Sequence, residues 1–408
     1  MRLWQVSLMA MAAVAVGAAF NVHAVAAQKQ YGPGASDTAI KIGNIMPYSG
    51  PASAYGVIGQ TEAAFFKMIN DQGGINGRKV DFISYDDAYS PSNTVEQARR
   101  LVENDGVLFI FNSLGTPTNT AIEGYMNAKK VPQLFVATGA TKWNDPKHFF
   151  WTMGWQPSYQ AEGKIYAQYL LQHEPHGKIA ILYQDDDYGR DYVKGLKDGL
   201  AGKIPVVSEM PYETTDPTVD SQMVSLQASG ADIFFDVTTP KFAAQAIKKT
   251  AELQWRPLHI LNNVSASVGA VLKPAGSSNA QGIISTAYLK DPSDPQWQND
   301  PGFKHWSEFM EKYFPSGDKN NAFTVYGYSV AQTLVQVLKQ CGDDLTRENV
   351  IKEAANIHDL PLDMLLPGIS INTSADDYAP IKQLQMMRFT DERWQLFGPV
   401  LTGHAAAS

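Results

Sequence analysis

Seven residues, Asn112-Ser113-Leu114-Gly115-Thr116-Pro117-Thr118, offer the most specific chemistry in the chain. They join an apolar run to a helical stretch. Small residues there let backbone amides and hydroxyls approach an anion, and the positive end of the following helix adds favourable potential. A threonine at this point also suits a helix cap, so Gly115 and Thr116 are candidates for both tasks. A second constellation, Asp185-Asp186-Asp187-Tyr188-Gly189, looks at first like a metal site. Three adjacent carboxylates cannot all converge on one ion, and no EF-hand spacing follows, so the trio reads as a solvated turn opening a helix. Beyond His23, the histidines His148, His173, His176, His259, His305, His358 and His404 are scattered. No GxSxG elbow, HExxH helix, phosphate loop or paired-cysteine motif is present. The residues therefore read as binding rather than catalysis, with no cofactor and no metal.

The elements that must carry these loops alternate. Apolar runs at Ile40–Ile45, Val80–Tyr85, Leu108–Asn112 and Gln133–Val136 predict one series of strands, and Lys178–Tyr183, Val206–Glu209, Ile233–Val237 and Leu258–Leu261 a second. Helical patterns fall between them at Thr94–Glu103, Asn119–Ala128, Tyr159–Gln172, Asp191–Leu200, Ser221–Ala228 and Phe242–Glu252. This alternation predicts α/β architecture with parallel-sheet cores, and its length predicts two domains. A further run at Ile283–Tyr288 leads into helices at Phe303–Tyr313, Phe323–Leu338 and Leu345–Ala355, then two strands, Ile381–Phe389 and Trp394–Pro399. Gln28 to Ser36 reads as a disordered lead.

The chain has 408 residues, a net charge of −8 and one cysteine, Cys341. No internal disulfide is possible, and no basic patch suggests a nucleic-acid partner. Met1 to about Ala26 reads as a secretory signal, with Arg2, an apolar Val6 to Phe20 and a small-x-small site at Ala24-Val25-Ala26. That apolar stretch is short of the roughly 20 residues a membrane span needs. No cysteine near the site could take a lipid anchor.

Residues Ile40 to Asp87 form a strand–loop–helix–turn–strand unit, of the kind that places ligands at the carboxyl ends of strands. Their SGPxxxYG, the later Gly73-Gly74-Ile75-Asn76-Gly77-Arg78-Lys79-Val80 and Tyr85-Asp86-Asp87 resemble the opening of the branched-chain amino acid type of periplasmic binding protein. The resemblance implies two Rossmann-like lobes joined by a hinge of three crossings, lobe one from 37–154 plus 287–384 and lobe two from 155–286 plus 385–408. It implies a monomeric periplasmic receptor that closes on a small carboxylate and hands it to the permease subunits of an ABC transporter. A sensor of the same fold, signalling to a receptor kinase or regulator, is the alternative.

Carried over by position, the resemblance places Tyr55, Leu114, Gly115 and Thr116 at the ligand. It makes Thr138-Gly139-Ala140-Thr141 the carboxylate loop, with Thr141 the hydroxyl donor. Tyr188 closes from the second lobe, Asp236, Thr238 and Asn263 occupy its other loops, and Phe323 and Tyr326 reach in from a long helix; Tyr159, from the aromatic segment after the carboxylate loop, is a further ligand-binding candidate. Family members often carry a disulfide where this chain has Tyr89 and Leu114. Amino-acid receptors hold the ligand ammonium with an acid near the place of Asn263-Val264, where this chain has none. A buried ammonium without a counter-charge is costly. That favours an aromatic or aliphatic acid lacking the amine over a branched or aromatic amino acid, with Asp236 the substitute if the amine is present. Trp143, Phe149, Phe150, Trp151, Trp155 and Tyr159 form an aromatic cluster that reads mainly as core or hinge, with one or two rings facing the cleft.

Overall fold

The computed structural model describes residues 29–403, so the expected secretory segment lies outside the described residues. After the short strand β1 (Gln30–Tyr31), five strands make a parallel sheet. They are β2 (Ala39–Met46), β3 (Lys79–Asp86), β4 (Ile110–Phe111), β5 (Gln133–Val136) and β6 (Thr152–Gly154), in spatial order β3-β2-β4-β5-β6. Five more, β7 (Ile179–Gln184), β8 (Val206–Tyr212), β9 (Ile233–Val237), β10 (Leu258–Leu261) and β11 (Ile284–Ala287), are the parallel part of a second sheet. Strand β12 (Asp344–Leu345) pairs with β1. The hairpin β13 (Gln383–Thr390) and β14 (Arg393–Thr402) adds antiparallel to β11, giving β14-β13-β11-β10-β9-β7-β8.

Helices α1 (Gly56–Asp71), α2 (Pro91–Arg99) and α3 (Thr116–Lys129) link strands of the first sheet. Helix α4 (Tyr159–His173) leads into the second, whose strands are linked by α5 (Asp187–Leu200), α6 (Asp220–Ala228), α7 (Pro240–Glu252) and the single turn α8 (Lys273–Ala275). The chain then returns. In α9 (Pro301–Tyr313) and α10 (Ala322–Cys341), Phe309 and Tyr328 pack on Phe65 of α1 with ring centroids 5.9 and 5.2 Å away. Helix α11 (Arg347–Ala354) follows β12. The polypeptide thus passes between the sheet bodies after β6, after β11 and before β13.

Local chemistry explains the element ends. The wholly buried run Ile-Phe-Phe-Asp-Val of β9 suits a parallel strand covered on both faces. Asp186 opens α5 by accepting from the amides of Tyr188 and Gly189 at 2.9 and 3.3 Å, so the acid trio does begin a helix. Asp300 and Asn321 cap α9 and α10 in the same way.

Two expectations change. The segment expected as a disordered lead is held in place: β1 pairs with β12, and Arg78 donates to the Tyr31 hydroxyl at 2.9 Å and to the Ser36 carbonyl at 3.0 Å. Those partners lie far away in sequence, which is why local composition misses them. The same pairing takes Leu345 out of the expected helix, which starts at Arg347 behind the Thr346 cap.

Candidate functional site

The carboxyl ends of both parallel sheets face one cavity of about 110 Å³. From the first body come Tyr55, Tyr89, Leu114, Gly115 and Thr116, with Phe323 and Tyr326 from the first turns of α10; the second supplies Tyr188, Thr239, Asn263, Val264 and Ser267. Tyr159 opens α4, and Gln156 and Tyr288 sit where the chain passes between the bodies. Six tyrosines therefore share the wall. Among the described residues the wall bears two charged side chains, Lys290 and Asp291.

Each ring is fixed from behind. Tyr55 crosses the seam, donating its hydroxyl to the Val264 carbonyl at 3.0 Å while leaning on Phe323 with centroids 4.9 Å apart. Tyr188 donates to Asn262 Oδ1 at 3.1 Å and meets Tyr159 edge-on at 5.3 Å. Tyr326 accepts from Asn112 Nδ2 at 3.2 Å. Tyr326 and Tyr288 both pack edge-on against Trp155, at 5.1 and 6.0 Å, and Trp155 is itself pinned by its indole N–H to Thr333 Oγ1 at 3.0 Å.

Tyr89 needs the strongest local support. Ala88 and Tyr89 adopt left-handed backbone, φ 50° and 59°, which non-glycine residues seldom take. The Asp86-Asp87 pair holds them. Asp86 Oδ1 accepts the amides of Ala88 and Tyr48, both at 2.9 Å. Asp87 accepts the Tyr89 amide at 2.9 Å and the Thr94 hydroxyl at 2.7 Å. The Tyr89 ring then lies over Gly115, where a Cβ would stand 2.5 Å from Cε2. Tyr89 and Leu114 both line the cavity.

Gly115 (φ 102°) and Thr116 begin α3, whose first-turn amides have no intrahelical acceptors. The Thr116 hydroxyl is 2.6 Å from that of Thr138. This end of the cavity thus offers neutral donors at a positive helix terminus, suited to a carboxylate.

Of the expected site residues, Tyr55, Leu114, Gly115, Thr116, Tyr159, Tyr188, Asn263, Phe323 and Tyr326 meet at this cavity. Six do not. Thr138, Gly139, Ala140 and Thr141 line a separate cleft with Ser158 and Tyr378. Thr141 spans the bodies outside the cavity: its amide and hydroxyl each donate to Asp191 Oδ2 at 2.8 Å. Thr138 supports Thr116 from behind, and Gly139 gives Tyr159 room, since a Cβ would lie 2.7 Å from its ring. Asp236 shares a strand face with Phe234, because alternate residues point to opposite sides. There it is fully buried, bound to His259 Nε2 at 3.1 Å and to the Thr238 hydroxyl at 2.6 Å. Neither Asp236 nor Thr238 lines the cavity.

The aromatic cluster contributes one ring to the wall, Tyr159. Trp143 turns to Thr138 at 3.3 Å, and Trp155 works from the second layer. The sequence reading missed Tyr89, Gln156, Ser267, Tyr288 and Asp291. The turn after Val80–Tyr85 was the available signal for Tyr89; the segment following Ile283–Tyr288 was that for Asp291.

Glu62 and Glu162 are also buried behind the wall, and among the described residues no basic side chain pairs with either. Glu62, pushed well above the usual range by desolvation, accepts from Asn44 Nδ2 at 3.2 Å. Glu162, also raised by burial, accepts from the hydroxyls of Tyr166 and Tyr192 at 2.6 and 2.7 Å and from the Asn263 amide at 2.8 Å. It thereby positions Asn263, whose side-chain amide donates to the Thr286 carbonyl.

A family model described as "Periplasmic binding protein" matches residues 39–393. A Leu/Ile/Val-binding protein homologue 1 of Brucella suis biovar 1 is 25% identical over 373 residues, covering 88% of this chain and 93% of its own. Among solved structures, a branched-chain amino acid ABC transporter protein from Thermus thermophilus with bound valine superposes with a TM-score of 0.82. It is 14% identical and covers 90% of this chain and 97% of its own. A fatty acid ABC transporter substrate-binding protein from Thermomonospora curvata gives 0.78 at 22% identity, covering 92% and 95%. At these identities the structural likenesses carry the fold.

Proposed function

The chain belongs to the periplasmic binding protein family, and from that premise we propose that it is the extracytoplasmic receptor of an ABC transporter for a small carboxylate with an aromatic or branched apolar body. The observation that carries this reading is the cavity itself. Two bodies meet over a tyrosine-rich space in which the start of α3 presents neutral donors, and Tyr55 joins them across the seam. A carboxylate bound by several such donors gains charge-assisted hydrogen bonds, while the rings bury its apolar body.

On this reading the lobes are 37–154 plus 287–384 and 155–286 plus 385–408, and the three passages between them are the hinge. Ligand binds the closed arrangement better and so shifts the equilibrium toward it. The closed form then docks on a permease. The chain acts as a binder and not as an enzyme, after export directed by Met1 to Ala26. No described helix is long and apolar enough to cross a membrane.

The test is a thermal-shift screen of protein stripped of ligand by unfolding and refolding, with amino acids run beside their amine-free analogues. A ligand at one hundred times its Kd adds about 2.7 kcal/mol to the native state. Melting shifts with apolar carboxylates, lost when the carboxylate is amidated, support the reading. A panel without any shift at millimolar concentration sinks it.

A further inference from the structure

Of the six tyrosines on the wall, four have hydroxyls with protein partners, two as donors and two as acceptors. The hydroxyls of Tyr55 and Tyr188 donate to Val264 and Asn262, that of Tyr326 accepts from Asn112, and that of Tyr159 accepts from Gln156 Nε2 at 3.2 Å. The single ammonium on the wall is also committed. Lys290 Nζ donates to Asp300 Oδ1 at 2.6 Å and to the Asp363 carbonyl at 2.7 Å, presenting its aliphatic stem.

Asp291 differs. One carboxylate oxygen is taken within its own turn, accepting the Ser293 amide at 2.9 Å and the Ser293 hydroxyl. Among the described residues no donor reaches the other oxygen, and no cation pairs with the group. The neighbouring carboxylate, Asp294, is turned away to the amide and side chain of Gln296. Asp291 is half-buried on the cavity wall, so the desolvation of its carboxylate is partial and its second oxygen stays accessible. Burial accordingly pushes the Asp291 carboxyl up to about 6. A ligand donor would remove that penalty.

We infer that Asp291 is the specificity residue for a second polar group on the ligand, a hydroxyl or an ammonium carried apart from or beside its carboxylate, which donates to the idle oxygen. This rests on the reading of the cavity as a carboxylate site and narrows it to substituted acids. It also moves the role that sequence offered to Asp236 onto a residue from a passage between the bodies. The two ligand sources share one chemistry, a hydrogen-bond donor, and differ in charge.

The experiment measures titration calorimetry of the full mature chain with matched acids. The parents are 3-phenylpropanoate and 4-methylpentanoate. Their 4-hydroxyphenyl or 2-hydroxy counterparts form one arm, and phenylalanine and leucine the other. Each is run on wild type, Asp291→Asn and Asp291→Ser. In wild type at least one substituted acid should bind about 10–100-fold tighter than its parent, the range for a hydrogen bond to a charged group. Asp291→Asn and Asp291→Ser should erase that advantage, and their circular dichroism spectra and melting transitions show that the variants fold. An advantage confined to the hydroxyl arm identifies a hydroxy acid, and one confined to the amine arm an amino acid. If parents and substituted acids bind and neither variant alters their ratio, the role of Asp291 is overturned while the carboxylate reading stands. If no acid binds wild type, the carboxylate reading fails and this inference falls with it.

Discussion

Gly269 offers the sharpest test of closure between the two bodies. It lies in the turn Val268–Leu272, which packs on the second sheet's helices, and its amide donates to the Asn320 carbonyl at 2.9 Å. Asn320 adjoins Asn321, the cap of α10, which packs with the first sheet's α1. A Cβ on Gly269 would stand 2.6 Å from Asp318 Oδ2 and 2.9 Å from both the carbonyl carbon and oxygen of Asn320. The Asp318 side chain can swing aside; the Asn320 backbone cannot move without shifting the start of α10. Gly269 has no positive φ, so alanine fits its backbone and the clash arises only across the seam. Overpacking of this kind costs about 1–3 kcal/mol. If the seam forms only on closure, Gly269→Ala leaves the open state untouched and weakens ligand binding about 5–150-fold. The unliganded melting temperature should stay within about 1 °C, and small-angle scattering should show less contraction on adding the acid that gives the largest thermal shift. Gly124, in α3 with no atom within 4 Å of a Cβ, provides the control substitution. Equal affinity of Gly269→Ala and wild type would refute closure at this seam.

Gly115→Ala meets both a positive φ and the Tyr89 ring, so it should lower stability by about 1–3 kcal/mol in urea titration and weaken every carboxylate together. Asp236→Asn should leave acid affinities within about threefold, because Asp236 is turned to His259; a large, selective loss of amino-acid binding would restore it as the counter-charge. Asp291, raised from 3.8 to about 6, gives a pH signature in the unliganded protein. The native state holds its proton more tightly, so its contribution is complete below about pH 3.8 and lost as pH rises through about 6. Asp291→Asn should therefore be more stable than wild type at pH 8, with the gap in urea midpoints shrinking toward pH 4; a gap independent of pH contradicts this.

The strands and helices were legible because their signals are local. Runs such as Ile233–Val237 and Leu258–Leu261 match β9 and β10 to the residue, since buried parallel strands are written as continuous apolar stretches. Helix starts were misjudged because capping residues are polar: α5 opens at Asp187, ahead of the expected Asp191, and α3 at Thr116 ahead of Asn119. Strands of two residues, β1 and β12, exist only through each other, and no local pattern marks them.

For the site, the chain itself determines an anion-friendly loop at Gly115-Thr116, the tyrosines of the Tyr55-Gly56 and Tyr188-Gly189 pairs, and the acids Asp86 and Asp87 at the end of β3. Tertiary structure decided which of these share a cavity. Strand parity sent Asp236 under α7 toward His259, while the return of the chain after β11 carried Asp291 to the wall. Contact between the bodies drew Thr141 to Asp191 rather than inward. Residue type and spacing set what each group can bind, but the face on which it emerges depends on sheet pairing and on segments hundreds of residues away.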